Sequence, residues 1–490
     1  MSALLSSFSR LLAARPHRPL IYRPAAGPPL TAADIWTARE AHADALRAAG
    51  LRSGDLLVSA AGNRPSCVTL LLAARQLDLA LLPVDAGTTP TELSDLCERF
   101  GAAAAVVPVE QASTLGRMAA PLDDGLALID GCARGRRDEY RSVALLKLTS
   151  GSTGLPKASR CAESVLVADS SQIVEGMRIG PDDTQIAVIP MSHAYGISVI
   201  LVPLMLQGTP MVLRESFVPH QLPADAAAAG ARTFAGVPFM FDYFLANPPS
   251  DGWPAGLHKL ISAGAPLPAS TVRGFLDRFA VKIHSFYGAS EAGGISYDDS
   301  DDDLGLGTVG RPLPGVELTF RPDEDSATGA RRVHVRSAGV ADGYAGDEPG
   351  DFRDGGFLTG DYGELDAGGR LVLTGRASSF INVAGKKVQP AEIETVLEAM
   401  PGIREARVIA AADRQRGEQV VACLIADPGA SPPSTLAVRR FCSARLAPFK
   451  IPRTVLFLEA MPVTARGKLD RRALDEAVRA AIAGSPEQLC

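Results

Sequence analysis

The 490-residue chain contains no CxxC pair and no Cys/His cluster at zinc-ligand spacing. Its seven cysteines are scattered singly. An odd, dispersed set excludes a disulfide framework and fits reduced thiols in the cytoplasm. There is no run of about 18 apolar residues, so no integral membrane segment is expected; the longest candidate, GISVILVPLML (196–206), is too short. Basic charge is not in excess either. Lys and Arg total 49 against 55 Asp and Glu, a net charge of −6, which argues against a nucleic-acid partner. The seven histidines form no i,i+4 metal pair. The only charge run, DDSDDD (298–303), reads as a solvated loop.

What is present is ordinary globular composition, 46% hydrophobic and 21% charged, with chain enough for two or more domains. The opening MSALLSSFSRLLAARPHRP has Arg and Ser and no acid before Asp34, as a transit peptide does. Its leucines and phenylalanine at 4, 5, 8, 11 and 12 instead predict an amphipathic helix. From about 50 to 375, short apolar runs alternate with helix-period segments. DLLVSA, AAAVVPV, VALLKL, QIAVIPM, PMVL, KLISAG and VKIHSF read as strands. This alternation predicts an α/β fold of mostly parallel sheets flanked by helices. After about 376 the grammar changes to a small α+β module. The expected domains are therefore 1–376 and 377–490, with the seam near Gly375–Ser379.

In parallel sheets, ligands bind beyond the carboxyl ends of strands. The polar motifs fall there: TSGSTGLPK after 148, SHAYG after 191, GAP after 263 and YGASE after 286. TSGSTGLPK (149–157) offers flexible glycines, hydroxyl donors and a lysine, which suits a polyphosphate. It is not a Walker A loop, because Lys157 follows proline. In FYGASEAGG, Tyr287 can stack on a base, Ser290 can bond a phosphate and Glu291 can hold Mg²⁺ beside nucleotide oxygens. The same stretch half-matches a nucleophile elbow, but no helix is predicted after Ser290. Asp361 and Arg376 flank a hairpin-like ELDAGGRLVL and suit a sugar diol. GLGTVG (305–310) satisfies GxGxxG literally. Prolines in the following RPLPG forbid the helix a dinucleotide fingerprint needs.

Taken jointly and in this order, TSGSTGLPK, YGASE, TGD, GR and the terminal GK resemble the adenylate-forming (AMP-binding) superfamily, in particular the acyl-CoA synthetase family. The resemblance runs over nearly the whole chain. It implies a large N-terminal AMP-binding domain, with a small β subdomain, and a small mobile C-terminal domain. It also implies ATP-dependent activation of a carboxylic acid to an acyl-adenylate with release of pyrophosphate. A thiol then displaces AMP. The implied cofactors are ATP, Mg²⁺ and CoA; the alternative acceptor is the phosphopantetheine of an acyl carrier protein.

By the same resemblance the catalytic residues are Lys468, Glu291 and His193. The ATP and AMP site comprises Thr149, Ser150, Gly151, Ser152, Thr153, Gly154, Lys157, Gly264, Ala265, Tyr287, Gly288, Ser290, Asp361 and Arg376. Mg²⁺ falls to Glu291 and Thr153. The acyl pocket comprises Tyr195, Val237, Pro238, Phe241 and Gly293, apolar or small residues that suit a neutral-tailed fatty or aryl acid. Gly385 matches the thiol tunnel. The hinge position carries Ser378 where the family has Asp or Lys. Ala194 stands where amino-acid-activating members place an Asp, so a buried ammonium would lack its counterion.

Overall fold

The computed structural model describes residues 2–24, 26–114, 119–130, 137–150, 156–301, 305–323, 330–347, 351–376, 381–413, 415–427, 431–462 and 471–483. It divides into two compact units. One holds Met1–Thr149 and Lys157–Ala377; the other holds Ser150–Pro156 and Ser378–Cys490.

The first unit contains three sheets among the described residues. In the nine-stranded sheet, strands Ile283–Ala289, Lys259–Ser262, Thr233–Gly236, Gln185–Ala187, Met211–Leu213 and Pro19–Tyr22 run parallel in that order. Antiparallel strands close both edges, Gly293–Tyr297 followed by Arg311–Pro312 at one and Leu30–Thr31 at the other. A seven-stranded sheet carries Leu56–Ser59, Ala80–Pro83, Ala104–Pro108 and Leu145–Ser150 in parallel, again with antiparallel strands at one side. These parallel strands are apolar on both faces because helices cover both. The third sheet is five-stranded and wholly antiparallel, built around Arg331–Arg336, Gly356–Leu365 and Leu371–Arg376. It is the small β subdomain, and 356–365 with 371–376 is the anticipated hairpin.

Several local expectations hold for identifiable reasons. The first helix, Ala3–Ala14, buries Leu4 and Phe8 and is capped by Ser2, whose hydroxyl accepts from Leu5 N at 3.2 Å. The GxGxxG stretch opens no helix; Arg311–Pro312 is an edge strand. Ser290 is followed by strand Gly293–Tyr297, so it is no nucleophile elbow. One segment differs. QIAVIPM is a strand only at Gln185–Ala187, and the apolar run after it is helical, with a π-helical turn at Ile197–Leu201.

The second unit packs helices Pro390–Glu398, Thr435–Ser443 and Arg471–Ala483 with a five-stranded sheet. Its long hairpin, Ile403–Asp413 against Gly417–Ala426, buries Val408, Val420, Ala422 and Leu424. No helix among the described residues is long and apolar enough to cross a membrane.

Candidate active site

The parallel strands Lys259–Ser262 and Ile283–Ala289 end side by side. Ala263, Gly264 and Ala265 follow the first; Tyr287, Gly288 and Ser290 lie at the end of the second. The Tyr287 hydroxyl donates to Oδ2 of Asp361 at 2.6 Å. Asp361 is buried and sits opposite Arg376 in the 356–365/371–376 hairpin, so the hairpin register brings the pair to one place. The Asp361 amide also donates to Thr359 Oγ1 at 3.2 Å. Gly288 is confined by chain packing: a Cβ there would lie 2.8 Å from the Gly293 carbonyl oxygen.

Glu291 stands at the tip between strands 283–289 and 293–297. Its Oε1 accepts from the Tyr344 hydroxyl at 2.8 Å. Tyr344 reaches it because Ser159 and Tyr344 form an antiparallel bridge, Arg160 N donates to Gly343 O, and Ala341 N donates to Glu291 O. The Lys157 ammonium lies 5.2 Å from the centre of the Tyr344 ring, a cation–π distance. The hydroxyl of Tyr344 also exchanges a hydrogen bond with the Thr149 side chain. Burial, then the charge of Glu291, pushes the Tyr344 phenol far above its ordinary value. It therefore keeps its proton and serves as a hydrogen-bond donor to Glu291. Ser159 Oγ donates to the carbonyls of Ser290 and Lys147, both at 3.4 Å.

On the anticipated acyl side, His193 is 41% exposed with Nε2 3.9 Å from Asp85 Oδ2. The Tyr195 hydroxyl donates toward the carbonyls of Gly236 at 3.3 Å and Ile261 at 3.2 Å, and its ring lies 5.7 Å from that of Phe286. Burial raises the Tyr195 phenol well above its usual range. Val237 and Pro238 are buried where strand Thr233–Gly236 passes into helix Pro238–Ala246. Phe241 lies deeper. It has no exposed surface, and its ring packs on Phe234 and Phe275 in the core beneath the strand ends. Its spacing three residues from Pro238 turns it inward on the helix.

This geometry stands with three comparisons. The family model for AMP-binding enzymes matches residues 8–345, and that for the C-terminal domain of AMP-binding enzymes matches 392–468. The chain belongs to the AMP-binding enzyme family. It is 27% identical over 462 residues to a feruloyl-CoA synthase of Amycolatopsis, covering 90% of this chain and 93% of the relative. It is 28% identical to a 2-succinylbenzoate–CoA ligase of Geobacillus kaustophilus, covering 91% and 92%. In structure it is similar to the amide bond synthetase McbA from Marinactinospora thermotolerans, with a TM-score of 0.84 and 26% identity over 97% of this chain and 99% of that one.

In this AMP-binding enzyme the donor set around Glu291 fits magnesium. That ion takes one or two protein carboxylates and completes its shell with phosphate oxygens and water. A single carboxylate whose Tyr344 partner also meets Thr149 and Lys157 is such a donor. In the second unit, Gly385 has φ +83 and Ala384 φ +52, between paired strands Ile381–Val383 and Lys386–Val388. Positive φ at both central residues makes a tight hairpin turn. Gly151, Ser152, Thr153, Gly154, Ser378 and Lys468 lie outside the described residues, as do the side chains of Ser150 and Arg376.

Five residues that sequence reasoning passed over also reach these segments: Tyr344, Asp85, Lys147, Asp169 and Ser198. Tyr344 is a lone aromatic in the polar ADGYAGD, a weak signal. Lys147 carried a stronger one. A lysine inside the buried-strand pattern VALLKL requires a partner, and Asp169, in the helix-period AESVLVADSSQ, supplies it at 3.3 Å.

Proposed function

We propose that the protein is an AMP-forming acid–thiol ligase, an acyl-CoA synthetase acting on a neutral-tailed aryl or fatty acid in the cytoplasm. The carrying observation is the meeting of Thr149, Lys157, Glu291 and Tyr344 beside the Tyr287–Asp361 pair at the strand ends. These residues, distant in sequence, offer groups suited to base, ribose, phosphates and metal, which supports the reading.

A carboxylate oxygen of the acid attacks the α-phosphorus of ATP, and the bond to pyrophosphate breaks. Tyr287 with Gly264, Ala265 and Gly288 holds the adenine, and Asp361 with Arg376 holds the ribose. The 149–157 loop and Ser290 grip the phosphates. Glu291 and Thr153 would hold magnesium, which when bound offsets phosphate charge. Lys468 donates to the oxygens where charge grows, an effect of about 2.7–4 kcal/mol for such donors. In the second half-reaction the thiol sulfur attacks the acyl carbon, the bond to AMP breaks, and the thiol proton passes to solvent. Domains 1–376 and 377–490 divide these tasks through a hinge at Ser378, with Gly385 beside the thiol. His193, steered by Asp85, faces the acid.

Tyr195, Val237, Pro238 and Gly293 present no charge to an acid's tail, which supports the neutral-tailed class. The name of feruloyl-CoA synthase puts aryl acids first on the panel. The test is ATP–pyrophosphate exchange over aryl and fatty acids, followed by AMP release on addition of CoA. No exchange with any acid overturns the proposal. AMP release that ignores CoA and requires a carrier protein replaces the acceptor and keeps the first half-reaction.

A further inference from the structure

Lys147 and Asp169 form an ion pair at 3.3 Å, each only 1% exposed. Burying two charges is costly, and such a pair seldom stabilises more than apolar residues of the same size. Lys147 also stands in a strand whose neighbours, Leu145 and Leu146, are fully buried. Stability alone gives no reason for a charge here.

The partners of Asp169 give one. Its Oδ1 accepts from the backbone N–H of Gly294 at 2.8 Å. Its Oδ2 accepts from the Ser198 hydroxyl at 2.6 Å and from Lys147 Nζ. Gly294 follows Glu291 by three residues. Ser198 follows Tyr195 by three and opens into the π-helical turn 197–201, a wide turn frequent at functional sites. Lys147 precedes Thr149 by two, on the strand that feeds the phosphate loop. The turn is further held by Ser170 Oγ donating to Ser198 O at 3.0 Å and Gln185 Nε2 donating to Val199 O at 2.8 Å. Asp169 also crowds Gly293: at φ +72, a Cβ there would lie 2.3 Å from Asp169 Oδ1.

We infer that Lys147 and Asp169 are a positioning pair for adenylation. One buried carboxylate, held in place by one buried ammonium, sets the register of three site segments. These are the strand entering the phosphate loop, the turn bearing Glu291, and the π-helical turn that follows Tyr195. The pair touches no substrate and acts through those segments. This role rests on the proposed adenylating activity.

Two double variants test it, each removing both charges: Lys147→Met with Asp169→Leu, and Lys147→Met with Asp169→Asn. Asn keeps an acceptor for Gly294 N and a polar partner for Ser198; Leu keeps neither. The Asn variant is expected to unfold within a few degrees of wild type, since removing both charges of a buried pair is often near neutral; the Leu variant, which strands the Gly294 amide and the Ser198 hydroxyl, should unfold lower. Acid-dependent pyrophosphate exchange should fall about 30–100-fold in the Leu variant, the scale of an ångström-sized misplacement. The Asn variant should recover about tenfold of that loss. Exchange in the Leu variant within about threefold of wild type overturns the role, as does an equal fall in both variants at unchanged unfolding temperature. If the Leu variant does not fold, Ser198→Ala decides. It should raise KM for the acid about fivefold, with rescue by Ser198→Thr, and an unchanged KM overturns the role. Wild-type protein inert on every acid overturns the adenylation reading and the positioning role with it. An active wild type beside an equally active Leu variant overturns the pair alone.

Discussion

The Tyr344 hydroxyl donates to Glu291 Oε1 at 2.8 Å while the Tyr344 ring faces the Lys157 ammonium. One side chain thus joins the carboxylate that would hold magnesium to the lysine that would hold phosphate. A hydrogen bond to a charged group is worth about 1.5–3 kcal/mol. Tyr344→Phe keeps the ring and loses the donor. We expect kcat/KM for pyrophosphate exchange to fall about tenfold or more. Unchanged exchange would show that Glu291 needs no such support.

Tyr287 and Asp361 make the corresponding pair on the nucleoside side. Tyr287→Phe retains the stacking surface and releases the Asp361 carboxylate. The expected result is KM for ATP raised about three- to tenfold, with KM for the acid unmoved. A rise in the acid KM alone would place Tyr287 in the other pocket.

Lys468→Ala separates the half-reactions. Adenylation, followed by pyrophosphate exchange, should be abolished. Thioester formation from supplied acyl-adenylate and CoA should survive. Equal losses in both would be incompatible with a lysine that serves the first step only.

Gly293→Ala tests the crowding at Asp169. Positive φ and a 2.3 Å approach leave no room for a methyl. A strained non-glycine residue of this kind costs about 1–3 kcal/mol. Thermal unfolding should shift down accordingly. An unmoved transition would mean the 291–294 turn relaxes freely.

Acid should destabilise the first unit through His42 and His284. Burial is the main cause that lowers both below 6.5. The unfolded chain therefore binds protons first as pH falls. The stabilisation from keeping these rings neutral is complete above about 6.5 and is lost progressively below it. His42 Nδ1 pairs with Thr69 Oγ1 at 2.8 Å, and His284 Nδ1 with the Asp298 carbonyl at 2.9 Å. In His42→Asn and His284→Asn, the drop in unfolding temperature between pH 7.5 and pH 5 should each be smaller than in wild type. Identical drops in all three proteins would assign acid sensitivity elsewhere.

Much of the fold was legible because its signals are local. Strands such as Lys259–Ser262 and Ile283–Ala289 are short apolar runs followed by glycine or polar residues, and that pattern locates strand ends without coordinates. The small α+β module expected after about 376 was likewise read from local pattern. The burial of Phe241 was not legible, because a helix face is chosen by packing, here against Phe234 and Phe275. Tyr344 and Asp169 escaped because their partners lie 53 and 125 positions away in Glu291 and Gly294.

The chain's own chemistry therefore determined the family, the motif order and the set of side chains able to meet a nucleotide, since glycine spacing, hydroxyls and lysines act where they stand. Tertiary structure alone decided which of them meet. Burial forced Lys147 to find Asp169, and the bridge between Ser159 and Tyr344 carried a tyrosine to Glu291. The physical reason is that desolvated polar groups must be paired, and the choice of partner belongs to packing across distant segments.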